Sequence, residues 1–211
     1  MLEPEGLLNA YRHGIFPMAI RPDKGVGAGM RGAIGWFSPD PRAVIPLDER
    51  FHVSHGLRRV LKQKKFAVTF DTDFESVIRS CAKRKEGTWI SKEIIESYCN
   101  LHHLGHAHSV EVWSAGIDAS TLPASRFARP VGGLYGVHIG GAFFGESMFH
   151  RVTDASKVAL VVLVERLRAR GFVLLDTQWQ TPHLKQFGTF EIPRRDYLRR
   201  LERALKLDCR F

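Results

Sequence analysis

Long apolar segments and paired cysteines are both missing from this sequence of 211 residues. The longest uninterrupted apolar run covers only residues 158–164, whereas a transmembrane helix needs about 20 apolar residues. The N-terminus has neither a basic region nor an apolar stretch behind it, so we expect no secretory signal and no membrane anchor. Cys81, Cys99 and Cys209 stand far apart without CxxC spacing, which argues against a disulfide framework or a zinc ribbon. These absences predict a protein of the reducing cytoplasm.

Signatures of nucleotide and metal binding are missing as well. The glycine-rich residues 25–35 do not lie between a predicted strand and a predicted helix, and no Walker A pattern occurs, so we expect a loop there rather than a dinucleotide site. His102, His103, His106 and His108 resemble a metal cluster in composition, but there is no HExxH motif. Two of these histidines fall at the end of a predicted helix, where the helix dipole favours them. We therefore expect no metal and no nucleotide cofactor.

Positive charge is abundant and is concentrated in two segments. The chain has 31 Lys and Arg against 22 Asp and Glu, a formal charge of +9. Residues 50–66 hold six basic residues and no acidic one, residues 194–211 hold seven basic and three acidic ones, and the remainder has a net charge of −1. Arg58, Lys62 and Lys65 follow helical spacing, which places them on one surface. A solvated helix face is the ordinary use of such residues, but six bases without an acid favour an anionic polymer as partner.

Apolar periodicity predicts an α+β domain with a mixed sheet of five or more strands and helices on its faces. Apolar runs on both sides of Gly140-Gly141 predict a hairpin. A helix capped by Asp154, followed by a strand over residues 172–178, predicts a strand–helix–strand crossover. Further helices are expected after Ser54, Asp73 and Ser91, which can serve as N-caps. We divide the chain into an N-terminal segment with a glycine-rich loop, residues 1–48, and a main domain, residues 49–211.

Three polar side chains are candidates for a functional site. Asp176 and Gln178 alternate along one strand, so their side chains project from the same face, and a carboxylate beside an amide can orient a nucleophile. The alternative is the polar edge of a sheet leaving the core. Glu146 is enclosed by aromatic and apolar residues and follows Gly145, which would let a ligand approach. A structural salt bridge is the alternative for Glu146.

Six ordered segments resemble the bacterial leucyl/phenylalanyl-tRNA–protein transferases. They are residues 11–17 (YRHGIFP), 36–42 (WFSPDPR), 86–90 (EGTWI), 104–113 (LGHAHSVEVW), 145–149 (GESMF) and 191–195 (EIPRR). The resemblance implies a GNAT-like catalytic domain and a monomeric, cytoplasmic enzyme. It would transfer Leu, Phe or sometimes Met from aminoacyl-tRNA to the N-terminal amine of proteins that begin with Arg or Lys, which creates an N-degron. An aminoacyl ester is already activated, so the reaction implies no cofactor, and neither DNA nor a membrane is an expected partner.

The resemblance also implies roles for individual residues. Asp176 and Gln178 match the catalytic pair, and Glu146 matches an acidic residue of the active site that would suit an acceptor beginning with Arg or Lys. The other matches are an apolar pocket for the aminoacyl side chain (Leu134, Phe143, Leu160, Leu163 and Leu175), aromatics near the tRNA 3′ adenosine (Tyr11 and Trp89) and a helix that follows the acceptor stem (Arg58, Arg59, Lys62 and Lys65).

Two departures from the family pattern leave an alternative open. The N-terminus is shorter than the family's usual one, and Met18 stands where the family has Trp. They suggest a tRNA-binding paralogue that has lost transfer activity, although the presence of both Asp176 and Gln178 weighs against it. An acetyltransferase that uses acyl-CoA is disfavoured, because residues 151–155, which precede the crossover helix, contain an acid and no glycine.

Overall fold

A computed structural model describes residues 1–20, 33–84, 87–114 and 129–211. The glycines predicted to form a loop at positions 25, 27, 29 and 32 lie outside the described residues, as does Glu86 of the third motif. Within the described ranges, no helix is long and apolar enough to cross a membrane.

Seven strands form one mixed sheet in the order β4-β5-β6-β7-β8-β3-β9. β7 and β8 are its parallel pair, and the other neighbouring strands are antiparallel. The strands are β3 (Arg42–Ile45), β4 (Phe66–Phe70), β5 (Ala107–Ser114), β6 (Gly132–Ile139), β7 (Ala142–His150), β8 (Leu174–Gln178) and β9 (Phe190–Ile192). A separate antiparallel pair consists of β1 (Phe16–Ala19) and β2 (Ile34–Phe37). The predicted hairpin and the predicted crossover are therefore confirmed as β6–β7 and as the connection from β7 to β8.

The helices are α1 (Pro4–Arg12), α2 (His55–Lys62), α3 (Phe74–Ala82), α4 (Lys92–His103), α5 (Ala155–Ala169), α6 (Pro182–Lys185) and α7 (Arg194–Leu205). Ser54, Asp73 and Ser91 are confirmed as N-caps, since each side chain accepts a hydrogen bond from a backbone N–H of the first helical turn. The predicted capping by Asp154 is wrong. Asp154 precedes α5 but has a left-handed backbone, and its carboxylate accepts a hydrogen bond from Lys157 instead.

The sheet separates two apolar cores. α1, α3, α4 and α7 pack on one face, around Tyr11, Tyr98 and Tyr197. α5 and α2 cover the other face, and nine side chains of α5 are buried. A helix this apolar is stable only when it is covered on most sides, which explains why α5 lies against the centre of the sheet.

β7 and β8 separate after a short paired segment, which creates a gap in the sheet. They pair at Ala142 with Leu174, Phe143 with Leu175 and Phe144 with Asp176. Beyond Phe144, β7 continues to His150 without pairing with β8. β7 also pairs with β6, where Tyr135 lies opposite Ser147 and the next residue, Gly136, lies opposite Gly145. Glu146 is therefore an extra residue in β7, which forms a β-bulge. Position 136 requires glycine, because a Cβ there would collide with the carbonyl oxygen of Phe144.

Candidate active site

A cavity of about 430 Å³ lies at the gap between β7 and β8. Residues from both faces of the sheet line it. From the α5 side come four of the five residues predicted for the aminoacyl pocket, Leu134, Leu160, Leu163 and Leu175, together with Met148. From the opposite side come Met18, Trp89, Tyr135 and Glu146. The cavity therefore joins an apolar end to a polar and aromatic end.

Phe143, predicted for the aminoacyl pocket, and Tyr11, predicted near the tRNA 3′ adenosine, do not line the cavity. Phe143 is fully buried behind it, and its ring stacks on Phe211 with 5.4 Å between centroids. Tyr11 is fully buried under the polar end, where its hydroxyl donates a 2.7 Å hydrogen bond to Glu146 Oε1. These two side chains therefore contribute to the site by supporting residues that line it.

Gln178 ends β8 at the cavity in an unusual conformation. Its φ is +61°, a left-handed value that a residue with a Cβ adopts only at a cost. The side chain is 6% exposed, lines the cavity, and leaves its amide Nε2 without a hydrogen-bond partner among the described residues. Because buried amides normally have partners, this N–H group is available to a ligand in the cavity.

Asp176 does not line the cavity and is 0% exposed. Arg42, itself 1% exposed, donates to both of its carboxylate oxygens, from Nε at 2.9 Å and from Nη2 at 2.6 Å. Tyr197 donates a third hydrogen bond at 2.9 Å, and the backbone N–H of Gln178 donates a fourth, also at 2.9 Å. Asp176 therefore holds the backbone of Gln178 in place while its own charge is neutralised by Arg42.

Arg42 connects Asp176 to the N-terminal part of the chain. Its Nη1 donates to the carbonyl oxygen of Gly14 at 2.8 Å, and its guanidinium lies 5.0 Å from the ring centre of Phe16 and 4.4 Å from that of Tyr197. Burial by itself lowers the pKa of Arg42, but the hydrogen bonds and the charge of Asp176 outweigh burial and raise it above the ordinary value. Arg42 therefore stays charged. Sequence reasoning missed this residue, although a lone arginine at the start of the apolar strand β3 was a visible signal.

Glu146 reaches the cavity from the β-bulge. Tyr11 donates to Oε1 at 2.7 Å and Tyr98 donates to Oε2 at 3.4 Å, while the two tyrosine hydroxyls also contact each other. None of the described residues forms an ion pair with Glu146, in contrast to Asp176. Burial raises the pKa of the Glu146 carboxyl to about 8, and the nearby negative charge of Asp176 adds to the increase, against the lowering effect of the two tyrosines and Arg42.

Further lining residues were not predicted from the sequence. Tyr135 is fully buried, and its hydroxyl has no partner among the described residues. His183 lies near His150, and its buried Nε2 has no hydrogen-bond partner among the described residues. Burial, together with the nearby Lys157 and His150, lowers the pKa of His183. Trp179 is 42% exposed and packs edge-on against Phe16 at the cavity.

The basic face of α2, which we define as Arg58, Arg59 and Lys62 of the helix together with Lys65, is exposed to solvent. The prediction that Lys65 continues the helical face is wrong, because α2 ends at Lys62 and the backbone of Lys64 is left-handed. Among the described residues, none of the four forms an ion pair. The helix is anchored by buried Leu57 and packs against α5. The three uncompensated positive charges on α2 therefore lie on the same side of the sheet as the apolar end of the cavity.

The histidines and cysteines do not form a metal site in the described part of the chain, where no group of three or more potential ligands could hold an ion. His108 instead bonds Asp71 at 2.7 Å and His138 at 2.8 Å. Cys81 is a core thiol, and burial raises its pKa to about 12.

Comparisons with known proteins agree on one family. A model of the leucyl/phenylalanyl-tRNA protein transferase matches residues 44–202, and a model of the N-terminal domain of the same family matches residues 1–40. The leucyl/phenylalanyl-tRNA–protein transferase of Akkermansia muciniphila is 51% identical over 207 residues, which is 97% of each chain. The protein of that name from Gloeobacter violaceus is 53% identical over 210 residues, covering 100% of this chain and 97% of the relative.

A solved structure shows a related fold at low sequence identity. The crystal structure of FemX superposes with a TM-score of 0.52 at 11% identity, over 90% of this chain and 66% of that chain. This likeness concerns the fold alone. The family models and the full-length relatives show that the chain belongs to the leucyl/phenylalanyl-tRNA protein transferase family.

Proposed function

We propose that this protein transfers leucine or phenylalanine from aminoacyl-tRNA to the N-terminal α-amine of an acceptor protein. The observation that carries the proposal is a cavity that joins an apolar pocket to a polar end containing Glu146 and Gln178. The relatives are named as transferases between tRNA and protein, and such an enzyme has to bring an apolar aminoacyl group and an amine together.

The apolar end binds the aminoacyl side chain. Leu134, Leu160, Leu163 and Leu175 line it, each at most 3% exposed, so a side chain that enters replaces water with hydrocarbon contacts. Leucine, phenylalanine and methionine are apolar and comparable in size, and methionine is also flexible enough to fill an irregular pocket. A polar side chain would lose hydration against these four leucines, which disfavours it relative to an apolar one.

The reacting ester lies beside Gln178. As the amine attacks, the ester carbonyl oxygen gains negative charge, and the free Nε2–H of Gln178 can donate a hydrogen bond to it, while the amide oxygen can accept one from the amine. Asp176 acts through the backbone of Gln178, which it fixes by a 2.9 Å hydrogen bond. Asp176 is thus a positioning residue in this proposal, and Gln178 is the residue of the pair that touches the substrate.

The acceptor lies at the polar end of the cavity and begins with Arg or Lys. Glu146 supplies a carboxylate that has no cationic partner among the described residues, and a positively charged acceptor would supply one. The terminal adenosine of the tRNA stacks on Trp89, a half-buried aromatic side chain that lines the same end. The basic face of α2 contacts phosphates of the acceptor stem, which gives affinity without reading sequence.

The enzyme works as a cytoplasmic monomer with a GNAT-like main domain, residues 49–211, preceded by the segment of residues 1–48. Supporting the GNAT-like assignment are the parallel β7–β8 pair that separates around the cavity and the α5 crossover between these strands. The low-identity likeness to FemX supports the fold at the level of overall shape.

A transfer assay tests the function directly. The protein is incubated with Leu-, Phe- or Met-charged tRNA and a peptide that begins with Arg, and the product is identified by its added mass. A peptide that begins with Ala tests the acceptor preference. Product from Leu- or Phe-tRNA with wild type, and its loss with Gln178→Ala, is the expected result. Tight binding of tRNA without any product would refute the transferase function and favour a non-catalytic paralogue.

A further inference from the structure

Two carboxylates lie near the reaction site, but their surroundings differ in kind. Asp176 is outside the cavity, and its oxygens accept four hydrogen bonds, two of them from the cation Arg42. Glu146 faces the cavity and accepts two hydrogen bonds from neutral tyrosines, so lone pairs of its carboxylate remain available. A neutralised, enclosed carboxylate is a poor proton acceptor, whereas an unneutralised one at a cavity wall is a good one.

We propose that Glu146 is the proton acceptor of the transfer reaction and takes a proton from the α-ammonium group of the acceptor protein. This inference rests on the proposed function, because it assigns a role within that reaction. It names the α-amine as the partner of Glu146, in addition to any contact with the acceptor's first side chain.

The groups that face Glu146 come from five elements. Tyr11 of α1 and Tyr98 of α4 donate to it, Tyr135 of β6 lies next to it, Asp176 of β8 repels its charge, and Arg42 of β3 attracts it. Their balance, together with burial, raises the pKa of Glu146 to about 8. An α-amino group has an ordinary pKa of about 7.7–8.0, so the two groups hold a proton with comparable strength. A carboxylate with an ordinary pKa near 4.3 would hold the proton far less well.

The reaction balances with this assignment. The ammonium gives one proton to the Glu146 carboxylate, and the freed lone pair of the nitrogen forms the C–N bond to the ester carbonyl carbon. The tetrahedral intermediate then breaks the bond from carbon to the ribose oxygen. The nitrogen, which carries a positive charge after attack, gives its extra proton to that leaving oxygen. Glu146 returns its own proton to water once the products leave, so peptide, free tRNA and one proton are formed.

Two histidines at the cavity are the competing proton acceptors. His183 contacts Phe187 of the core on the α5 side and lies near Lys157 of α5 and near His150, whereas Glu146 lies with Trp89 and Tyr135 on the other side. The apolar side is proposed to hold the aminoacyl side chain, so the amine would approach from the side of Glu146. Variants of the two histidines therefore belong in the same experiment.

The experiment compares two acceptors that differ in whether a proton has to be removed before attack. One is a peptide beginning with Arg, and the other is the same peptide with its terminal amine replaced by an aminooxy group, which is already neutral near pH 7. With wild type, Glu146→Gln, His183→Asn and His150→Asn, we measure single-turnover rates at saturating acceptor. Glu165→Gln, an exposed glutamate on α5, is the matched control.

For Glu146→Gln, we expect the rate with the amine acceptor to fall by about 10²-fold or more, with the aminooxy acceptor much less affected. Raising the pH from about 7 to about 9 should narrow the gap between wild type and variant, because the amine then loses its proton to water. Equal losses with both acceptors, a pH-independent gap, or the selective loss in a histidine variant would overturn the assignment. If wild type makes no product with the Arg peptide, the proposed function itself fails, which is a different outcome.

Discussion

The buried contact between Arg42 and Asp176 gives the sharpest prediction about stability. In Arg42→Met the side-chain volume is largely kept, but Asp176, at 0% exposure, loses two hydrogen bonds and its only cation among the described residues. Removing one partner of a buried ion pair costs about 3–5 kcal/mol, because the remaining charge is left buried without compensation. A domain of ordinary stability has about 5–15 kcal/mol in total, so we expect a variant that folds but unfolds at much lower denaturant concentration.

Urea unfolding with two independent probes measures this loss. Tyr197→Phe, which removes one neutral donor to the same carboxylate, should cost only about 1 kcal/mol. Adding Asp176→Asn to Arg42→Met removes the uncompensated charge, and the double variant should be more stable than Arg42→Met alone. An Arg42→Met protein within about 1 kcal/mol of wild type, at an unchanged m-value, would show that the pair contributes little.

Four further predictions concern the site. Gln178→Gly should relieve the left-handed backbone and gain about 1 kcal/mol in urea unfolding, while kcat falls by about 10²-fold through loss of the amide. Leu163→Ala enlarges the apolar end, and competition between Leu-tRNA and Phe-tRNA should shift about tenfold toward Phe; an unchanged ratio would place the side chain elsewhere. Reversing three charges of the basic face should weaken tRNA binding and reduce the slope of log K against log salt by about 2–3, with circular dichroism unchanged. The folded-state pKa of Glu146 is about 8, above its ordinary value, so the folded protein binds this proton more tightly than the unfolded chain does. The resulting contribution of protonated Glu146 to stability is complete below about pH 4 and is lost as the pH rises to about 8. Glu146→Gln should therefore gain up to about 4 kcal/mol over wild type near pH 8 and little near pH 4.

Local signals in the sequence predicted most of the main domain. The caps Ser54, Asp73 and Ser91 start helices where expected, because capping depends on hydrogen bonds within one turn. The hairpin at Gly140-Gly141 and the apolar α5 are likewise determined by neighbouring residues. Strands β1, β2, β3 and β9 were not predicted, since each has three or four residues and is stabilised by partners distant in sequence.

The candidate site was predictable in its residue types but not in its arrangement. The alternation of Asp176 and Gln178 was visible, but Arg42, which decides that Asp176 is enclosed, lies 134 residues away in the sequence. The left-handed backbone of Gln178 and the missing partner of its amide are tertiary features without a local signal. The predicted role of Tyr11 near the adenosine, and the division at residue 48, stay predictions.

The bulge at Glu146 also determines which mutations this strand can tolerate. Phe144 and Met148 are four residues apart and would point to the same face of a regular strand, yet Phe144 packs into the α4 side of the sheet and Met148 into the α5 side. Deleting one residue here would move the side chain of every later residue in β7 to the opposite face of the sheet. Met148 would leave the apolar end of the cavity, and Phe149 would enter it. Amino-acid replacements in this segment alter one contact at a time, whereas a single insertion or deletion would reverse the whole segment. We therefore expect the number of residues between Gly145 and Phe149 to be more strictly fixed than their identities.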